Sequence, residues 1–262
     1  MRALKRAARR LLGPRNYDEI DVVWRLLARE TGVMVDVGAH HGSAHEAFLA
    51  SGWKVIALEP DPNNRQHLSD HPSLIVDARA VSQTDGERLS LFTSEVSSGI
   101  SSLAAFHETH VATVEVETVR LDTLLQSLAV DHVNFLKVDT EGFDLPVLRT
   151  FGWGGDRPDV VVCEFEDRKT VPLGYTFRDL GDFLLGQGYA VLMSEWHPIV
   201  EYGRTHTWRR VVEYPSLLMD DAGWGNFIAV KPGLAPAARR GAAAARRRLR
   251  VRRIADRVRP KG

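Results

Sequence analysis

Short apolar runs recur along the middle of the chain, each followed by a stretch with helical spacing. Val33-Met34-Val35-Asp36-Val37 is the first run, and it stops at Gly38. Ser43 and Glu46 form an S-x-x-E capping box, and Ala44, Ala47, Phe48 and Leu49 follow at helical spacing, which predicts a helix ending before Gly52. Residues 54–59 read as the second strand, with Asp61 as cap and Pro62 as first-turn proline of the next helix. Residues 74–76, 133–138, 160–165, 189–193 and 227–230 read as five further strands. Alternation of this kind predicts an α/β fold, a mainly parallel seven-stranded sheet with helices on both faces. Residues 80–120 break the rhythm. Thr84-Asp85-Gly86-Glu87 is a hairpin-turn signal and residues 114–119 alternate, so a β insertion is expected before the fourth core strand.

Composition leaves that picture intact. The chain has 262 residues, 44% apolar and 26% charged, which suits a soluble globular domain with one sizeable core. Its one cysteine, Cys163, follows Val160-Val161-Val162 and reads as a small core residue. No apolar stretch approaches the roughly 20 residues of a bilayer span. The N-terminus is basic without the apolar segment of a signal peptide, so a cytoplasmic location is expected.

Charge changes the picture more. The net charge is zero, yet residues 1–15 hold six Lys/Arg and no acid, and residues 239–262 hold eleven Lys/Arg and one acid, Asp256. The remainder keeps 17 basic against 33 acidic residues, a net charge of −16. Shifts at Gly13-Pro14 and from Lys231-Pro232-Gly233 to Pro236 divide the chain into a basic N-terminal segment (1–16), a central domain (17–232) and a basic C-terminal tail (233–262). Leu4, Ala7, Ala8, Leu11 and Leu12 recur at helical spacing among basic residues, as do Val251, Ile254, Ala255 and Val258. This is the pattern of a basic amphipathic helix lying on an anionic membrane. Disordered solubilising tails, or tails docked on the acidic body of a neighbouring chain, fit the same composition.

Candidate chemistry gathers at the strand ends. Asp36-Val37-Gly38-Ala39-His40-His41-Gly42 lies where a parallel sheet binds ligands, beyond the carboxyl ends of its strands. Gly38 lets the backbone turn sharply toward a ligand. The helix start near Ser43 offers free N–H groups to an anion such as the carboxylate of a methionine moiety. Glu59 ends the second strand 23 residues after Asp36, where a carboxylate can accept both hydroxyls of an adenosine ribose. The turn reads G-A-H-H-G and lacks the G-x-G-x-x-G of dinucleotide sites, so one adenosine with an amino-acid tail suits it better than a pyrophosphate. The candidate cofactor contacts are Asp36, Gly38, Ala39, His40, Gly42, Glu59, Asp61, Asp77 and Ala80.

Three blocks of this sequence resemble the FkbM methyltransferase family. They are Val35-Asp36-Val37-Gly38-Ala39-His40-His41-Gly42, Ile56-Ala57-Leu58-Glu59-Pro60-Asp61-Pro62-Asn63 and Phe135-Leu136-Lys137-Val138-Asp139-Thr140-Glu141-Gly142. Ala80-Val81-Ser82, Asp85-Gly86 and Leu121-Asp122-Thr123-Leu124-Leu125 match its pattern too, and the L-K-V-D-x-E-G block is the most specific piece. The resemblance covers residues 33–165. It implies a Rossmann-like class I methyltransferase fold, S-adenosylmethionine as cofactor, and commonly O-methylation of sugars or natural products. His40 stands where the family text D-V-G-A-N-x-G has Asn, and Asp144 where the acid after E-G-x is usually Glu. The C-terminal third varies across the family.

Methyl transfer from a sulfonium is an in-line displacement with an activated donor, so holding the acceptor in line supplies most of the effect. A hydroxyl acceptor also benefits from a base, or from a metal that lowers its pKa. Lys137, Asp139 and Glu141 end the fourth strand and share one face if strand geometry continues that far, and Glu164 and Glu166 end the fifth. They read as an acceptor-side base or as hard oxygen ligands for Mg²⁺. Alternatively, Glu141 and Asp144 serve to start the next helix, whose early Pro146 fits a first turn. In 195–210, Trp196, Tyr202 and Trp208 are flat surfaces that can stack on a sugar, and His206 or His197 can act as base. Pro198 restricts the backbone beside His197, which favours His206, and a packed aromatic loop is the plainer alternative.

The expectation is an S-adenosylmethionine-dependent methyltransferase acting on a sugar, glycolipid or natural-product hydroxyl, with peripheral membrane contact through the basic ends. The alternative is a nucleic-acid or anionic-surface binding protein, RNA methylation included, which the fold alone does not separate. The acidic body disfavours a nucleic acid across the site.

Overall fold

The structure, a computed structural model, describes residues 16–27, 31–94, 110–201 and 206–258. Its strands are β1 (Val33–Val37), β2 (Lys54–Leu58), β3 (Leu74–Asp77), β4 (Ala80–Val81), β5 (Arg88–Ser94), β6 (His110–Val119), β7 (Phe135–Val138), β8 (Val160–Glu166), β9 (Ala190–Trp196), β10 (Trp208–Glu213) and β11 (Trp224–Val230). Its helices are α1 (Glu19–Leu27), α2 (Glu46–Leu49), α3 (Pro62–Arg65), α4 (Leu121–Ser127), α5 (Asp144–Leu148), α6 (Asp167–Thr170), α7 (Phe177–Gly186) and α8 (Ala235–Val258).

The main sheet has the order β10-β9-β11-β8-β7-β1-β2-β3. Strands β3, β2, β1, β7 and β8 pair in parallel, β11 is antiparallel to both β8 and β9, and β10 is antiparallel to β9. All seven expected core strands are present, and β10 adds an eighth at the edge. It begins within the 195–210 segment expected to meet the acceptor. Trp208-Arg209-Arg210 hides its alternation, because both arginines turn to the fully buried Glu195, at 3.1 and 2.6 Å. The expected insertion is a separate sheet of order β4-β6-β5, and the Asp85-Gly86 turn carries the chain from β4 to β5 on either side of β6 rather than closing a two-stranded hairpin.

One face of the main sheet packs on α4, α5 and α7 through residues such as Leu124, Leu145, Leu148, Leu180 and Leu184. The other packs on α1, α2 and α8 through Val23, Leu27, Phe48, Ala235, Ala238 and Ala242. Helix α3 starts as expected, with Pro62 in its first turn and the Asp61 carboxylate accepting from Asn63 N–H at 2.9 Å. Helix α2 is shorter than expected. Its cap residue is His45 and the Ser43–Glu46 box does not form, because residues 40–44 form turns and bends before the helix begins.

The segment expected as a C-terminal tail enters as a packed helix. Ala235, Ala238, Ala242, Ala245 and Leu249 line its buried stripe, and small side chains let it lie close on α1. Arg248 reaches Asp21 of α1 at 3.3 Å. Helix α1 is itself fixed to the sheet by a buried polar group. Glu19 accepts from Ser194 Oγ (2.5 Å) and Trp196 Nε1 (2.8 Å), Ser194 accepts from Trp208 Nε1 (3.0 Å), and Tyr17 stacks on Trp208 at 4.4 Å. Residues 1–12, with the basic helix expected there, and the side chains of Ile254, Ala255 and Val258 lie outside the described residues.

Ala242→Asp should cost about 2–4 kcal/mol by placing a carboxylate against α1 without a partner, whereas Ala243→Asp on the exposed flank should stay within about 0.5 kcal/mol. Urea unfolding midpoints check this, and equal midpoints would mean that α8 does not pack there.

Candidate active site

Strand alternation and register bring the chemistry to one edge. On the face that packs against α1 and α8, β1 presents Met34 and then Asp36, β7 presents Phe135 and then Lys137, and β8 presents Val160 and Val162 before Glu164 and Glu166. Each strand is apolar where it enters the core and charged where it leaves. Asp36 is level with Lys137, and Lys137 with Val162.

Asp36 is fully buried between Lys137 Nζ (3.1 Å) and His45 Nδ1 (2.7 Å). Burial alone would raise its pKa, but Lys137 and His45 outweigh burial and hold Asp36 below the ordinary carboxylate range. Burial works against the charge on Lys137, and Asp36 and Asp139 more than reverse it, so the ammonium stays charged. Lys137 also donates to the carbonyl of Gly38 at 2.7 Å. His45 was not among the residues expected at the site. Its one signal in the sequence is that a buried aspartate needs a donor.

The loop after β1 turns sharply at Gly38, and its close approach is to the backbone that leaves β7. Gly38 has φ +74°, and a Cβ there would lie 1.9 Å from the Asp139 carbonyl oxygen. His40 has φ +50°, in the left-handed region where Asn and His are among the better tolerated residues. Its N–H donates to Glu59 Oε2 at 2.6 Å, and Asp61 N–H donates to Glu59 Oε1 at 3.0 Å. Burial raises the Glu59 pKa against those two bonds. Ala39 is buried beside this loop and Gly42 turns it at φ +79°. The carboxylate of Asp77 is engaged by Arg79 (2.6 Å), while Asp77 carbonyl accepts from Glu59 N–H. Ala80 is buried in the small sheet with Leu91 and Val116.

A second cluster forms where β7 and β8 end. Oxygen atoms of Asp139, Glu141 and Glu164 lie within 4.8 Å of one another. Strand geometry does not carry Glu141 there, because β7 stops at Val138. Instead Glu141 (φ +54°) and Gly142 (φ +104°) form a left-handed turn that swings Glu141 onto Lys169. Tyr175 Oη holds that turn by donating to Gly142 carbonyl at 2.6 Å. Asp144 opens α5, as the plainer reading had it, and also braces the turn by accepting from Thr140 N–H and Oγ1 and from Glu164 N–H. Lys169 Nζ pairs with Glu141, with Glu164 at 2.8 Å and with Glu166 at 2.8 Å. In the sequence Lys169 reads as an ordinary surface charge in Asp-Arg-Lys-Thr, yet it is buried.

Burial first, and repulsion from Asp139 and Glu166 next, push Glu141 up to about 7 against the pull of Lys169. Burial and Asp139 push Asp144 up to about 7, and Glu164 is raised well above its ordinary range. Asp139 is the accessible member, with 42% of its side chain exposed, and Lys137 stands 3.4 Å from it.

The aromatic segment is mostly core. Trp196 and Trp208 are buried, Trp208 against Tyr17, so neither offers a face to a sugar. Tyr202 lies outside the described residues. His206 is half-buried and edge-on to Trp224. Burial lowers its pKa, and Glu166 and Lys169 are near enough to act on it in opposite directions. His197 is exposed and accepts from Arg209 at 3.0 Å on Nδ1.

A parallel strand run with one antiparallel insertion, a glycine turn after β1 and a carboxylate closing β2 define a class I methyltransferase fold. The sequence pattern of the methyltransferase FkbM domain matches residues 36–191. The chain belongs to the FkbM methyltransferase family and carries an S-adenosylmethionine-dependent methyltransferase domain. It is 31% identical over 142 residues to hexuronic acid methyltransferase AglP of Haloferax volcanii, an overlap covering 50% of this chain and 55% of that one. The chain thus spans about half the length of this curated relative. Among solved structures it is similar to magnesium protoporphyrin IX methyltransferase of Synechocystis with bound SAH (10% identity, 81% of each chain, TM-score 0.41). It is also similar to the C-terminal domain of precorrin-6Y C5,15-methyltransferase of Rhodobacter capsulatus (12% identity, 81% of this chain, 88% of that one, TM-score 0.40).

Because the folded-state pKa of Glu141 is raised, from 4.5 to about 7, its contribution to stability is full below 4.5 and fades as pH rises through 7. Glu141→Gln should therefore flatten the fall in stability between pH 5 and 8, read as urea midpoints of both proteins. Parallel curves would mean that Glu141 titrates as an ordinary carboxyl.

Proposed function

We propose that the protein transfers a methyl group from S-adenosylmethionine to a hydroxyl oxygen of a sugar or sugar-linked acceptor, a glycolipid or natural product included, with Asp139 and Glu141 on the proton's path. The carboxylate cluster beside the glycine turn carries this reading, because a hydroxyl nucleophile must shed a proton and a base titrating near neutrality suits that step. The likeness to a hexuronic acid methyltransferase supports a sugar acceptor.

S-adenosylmethionine supplies an electrophilic methyl group on a positively charged sulfur. The residues present fit this cofactor. Gly38 turns the backbone sharply where β1 ends, and each Glu59 oxygen accepts one backbone N–H and keeps a lone pair for a ribose hydroxyl. Asp36 is fully buried, so it acts on the loop through Lys137 and His45 rather than by touching a ligand. Asp139 faces the acceptor, and the hydroxyl proton passes to Asp139 or Glu141 as the oxygen takes the methyl group, the broken carbon–sulfur bond leaving its electron pair on the departing thioether. His206, at the rim, is the second candidate for the base.

Mg²⁺ fits less well. Asp139, Glu141 and Glu164 are hard oxygen donors of the right type, but Lys169 already holds two of the three.

Glu59→Ala should weaken calorimetric S-adenosylmethionine affinity by about 1.5–3 kcal/mol. With labelled cofactor and fractionated glycans, lipids and RNA, label should enter a glycan-containing fraction, and Asp139→Asn or Glu141→Gln should lose turnover. Unchanged affinity would reject Glu59, full turnover in both carboxylate variants would sink the proton path, and label confined to RNA would favour the nucleic-acid reading.

A second reading concerns location. Arg240, Arg246, Arg247 and Arg250 are exposed along one flank of α8, beside exposed Val251. Among the described residues no helix is long and apolar enough to cross a membrane. The arginine flank supports peripheral contact with an anionic leaflet, at about 1 kcal/mol per basic residue, which would set the site near a lipid-linked acceptor. The full chain should float with anionic vesicles, and a variant with these four arginines changed to Glu should not. A wild-type chain that stays in the soluble fraction ends this reading.

A further inference from the structure

We propose that Lys169 is a built-in cation, whose ammonium stands where the carboxylates of Glu141 and Glu164 would otherwise share a divalent metal, and which positions Glu141 so that methyl transfer proceeds without Mg²⁺. The proposal rests on the methyltransferase reading of this site and names the device that assembles it.

The geometry follows from how β8 ends. Helix α6 begins at Asp167, the residue directly after the strand, so the chain turns back within one helical turn and Lys169 comes to lie over Glu166, three residues before it. Its Nζ meets three carboxylates from two strand ends: Glu164 and Glu166 from β8 at 2.8 Å each, and Glu141 from the turn after β7. The ammonium donates to Glu141 and to Glu164, and Glu166 stands beside it at ion-pair distance. The group is sealed, with side-chain exposures of 2% for Lys169, 5% for Glu166, 10% for Glu164 and 13% for Glu141. The stem is fixed as well. Gly142 passes so close that a Cβ there would lie 3.0 Å from Lys169 Cβ.

Two positive ions do not share such a space. A divalent cation bound to Glu141 and Glu164 would sit within a few ångströms of Nζ, where like charges in a poorly solvated pocket repel strongly. Hard oxygen donors at this spacing suit Mg²⁺ or Mn²⁺, so the lysine alone decides which cation the carboxylates hold. With Glu141 clamped, Asp139 remains the one open carboxylate of the cluster and is left to meet the acceptor.

The test uses the full chain and Mn²⁺ as a spectroscopic probe. Wild type titrated with Mn²⁺ and followed by electron paramagnetic resonance should show only the free-ion signal, and its turnover should be indifferent to EDTA. Lys169→Met should bind one Mn²⁺, the added change Glu164→Gln should abolish that binding, and turnover of Lys169→Met should fall about 100-fold, the lower range for a misplaced acid–base group. Wild type that binds one Mn²⁺ and loses it with Glu164→Gln would overturn the proposal. So would EDTA-sensitive turnover restored by Mg²⁺, or full turnover in Lys169→Met. If Lys169→Met does not fold, the wild-type titration and chelation decide the matter alone. If no acceptor is ever labelled, the methyltransferase reading fails by itself, and the Mn²⁺ titration still judges the lysine.

Discussion

The buried ion pair between Asp36 and Lys137 locks two neighbouring strands at the edge where the site begins. It places a charge pair in the sheet interior, and such a pair is tolerable only with its remaining bonds satisfied. His45 takes the second oxygen of Asp36, and the Gly38 carbonyl takes another proton of Lys137. Through that carbonyl the pair fixes the turn after β1. The turn in turn runs so close to β7 that only glycine fits against the Asp139 carbonyl. Removal of either partner would break this buried ion pair, at a cost of about 3–5 kcal/mol.

A second lysine repeats the device with the opposite balance. Lys137 faces Asp36 directly and keeps it ionised. Lys169 faces three carboxylates, and burial still raises Glu141 to about 7 and Glu164 well above its ordinary range against the lysine's pull. Asp139 stands between the two, touched by Lys137 and open to solvent. One accessible acid between two buried lysines is a site whose shape is set by groups that need never touch a ligand.

The far end of the sheet is organised by a different economy. Here α1 and α8 cover the strands with small apolar side chains, and Glu19 ties α1 to Ser194 and Trp196. The aromatic side chains Trp196 and Trp208 on β9 and β10 therefore serve packing.

Local pattern was enough for much of this. Apolar runs fixed the strands because each must bury a row of side chains, and Asp61-Pro62 marked a helix start because its cap needs only its own neighbours. Gly38, Glu59 and Asp139 were legible because strand ends in a parallel sheet share one edge. The eighth strand was not, since the two arginines of β10 are satisfied by Glu195 of β9, a partner the local pattern does not name. Nor was the packed half of α8, because alanine-rich helices read alike whether buried or exposed. His45, Lys169 and the inward swing of Glu141 depend on which charge faces which across elements that the sheet brings together. Periodicity records which side of an element is apolar, and only the packed fold decides which buried charges become partners.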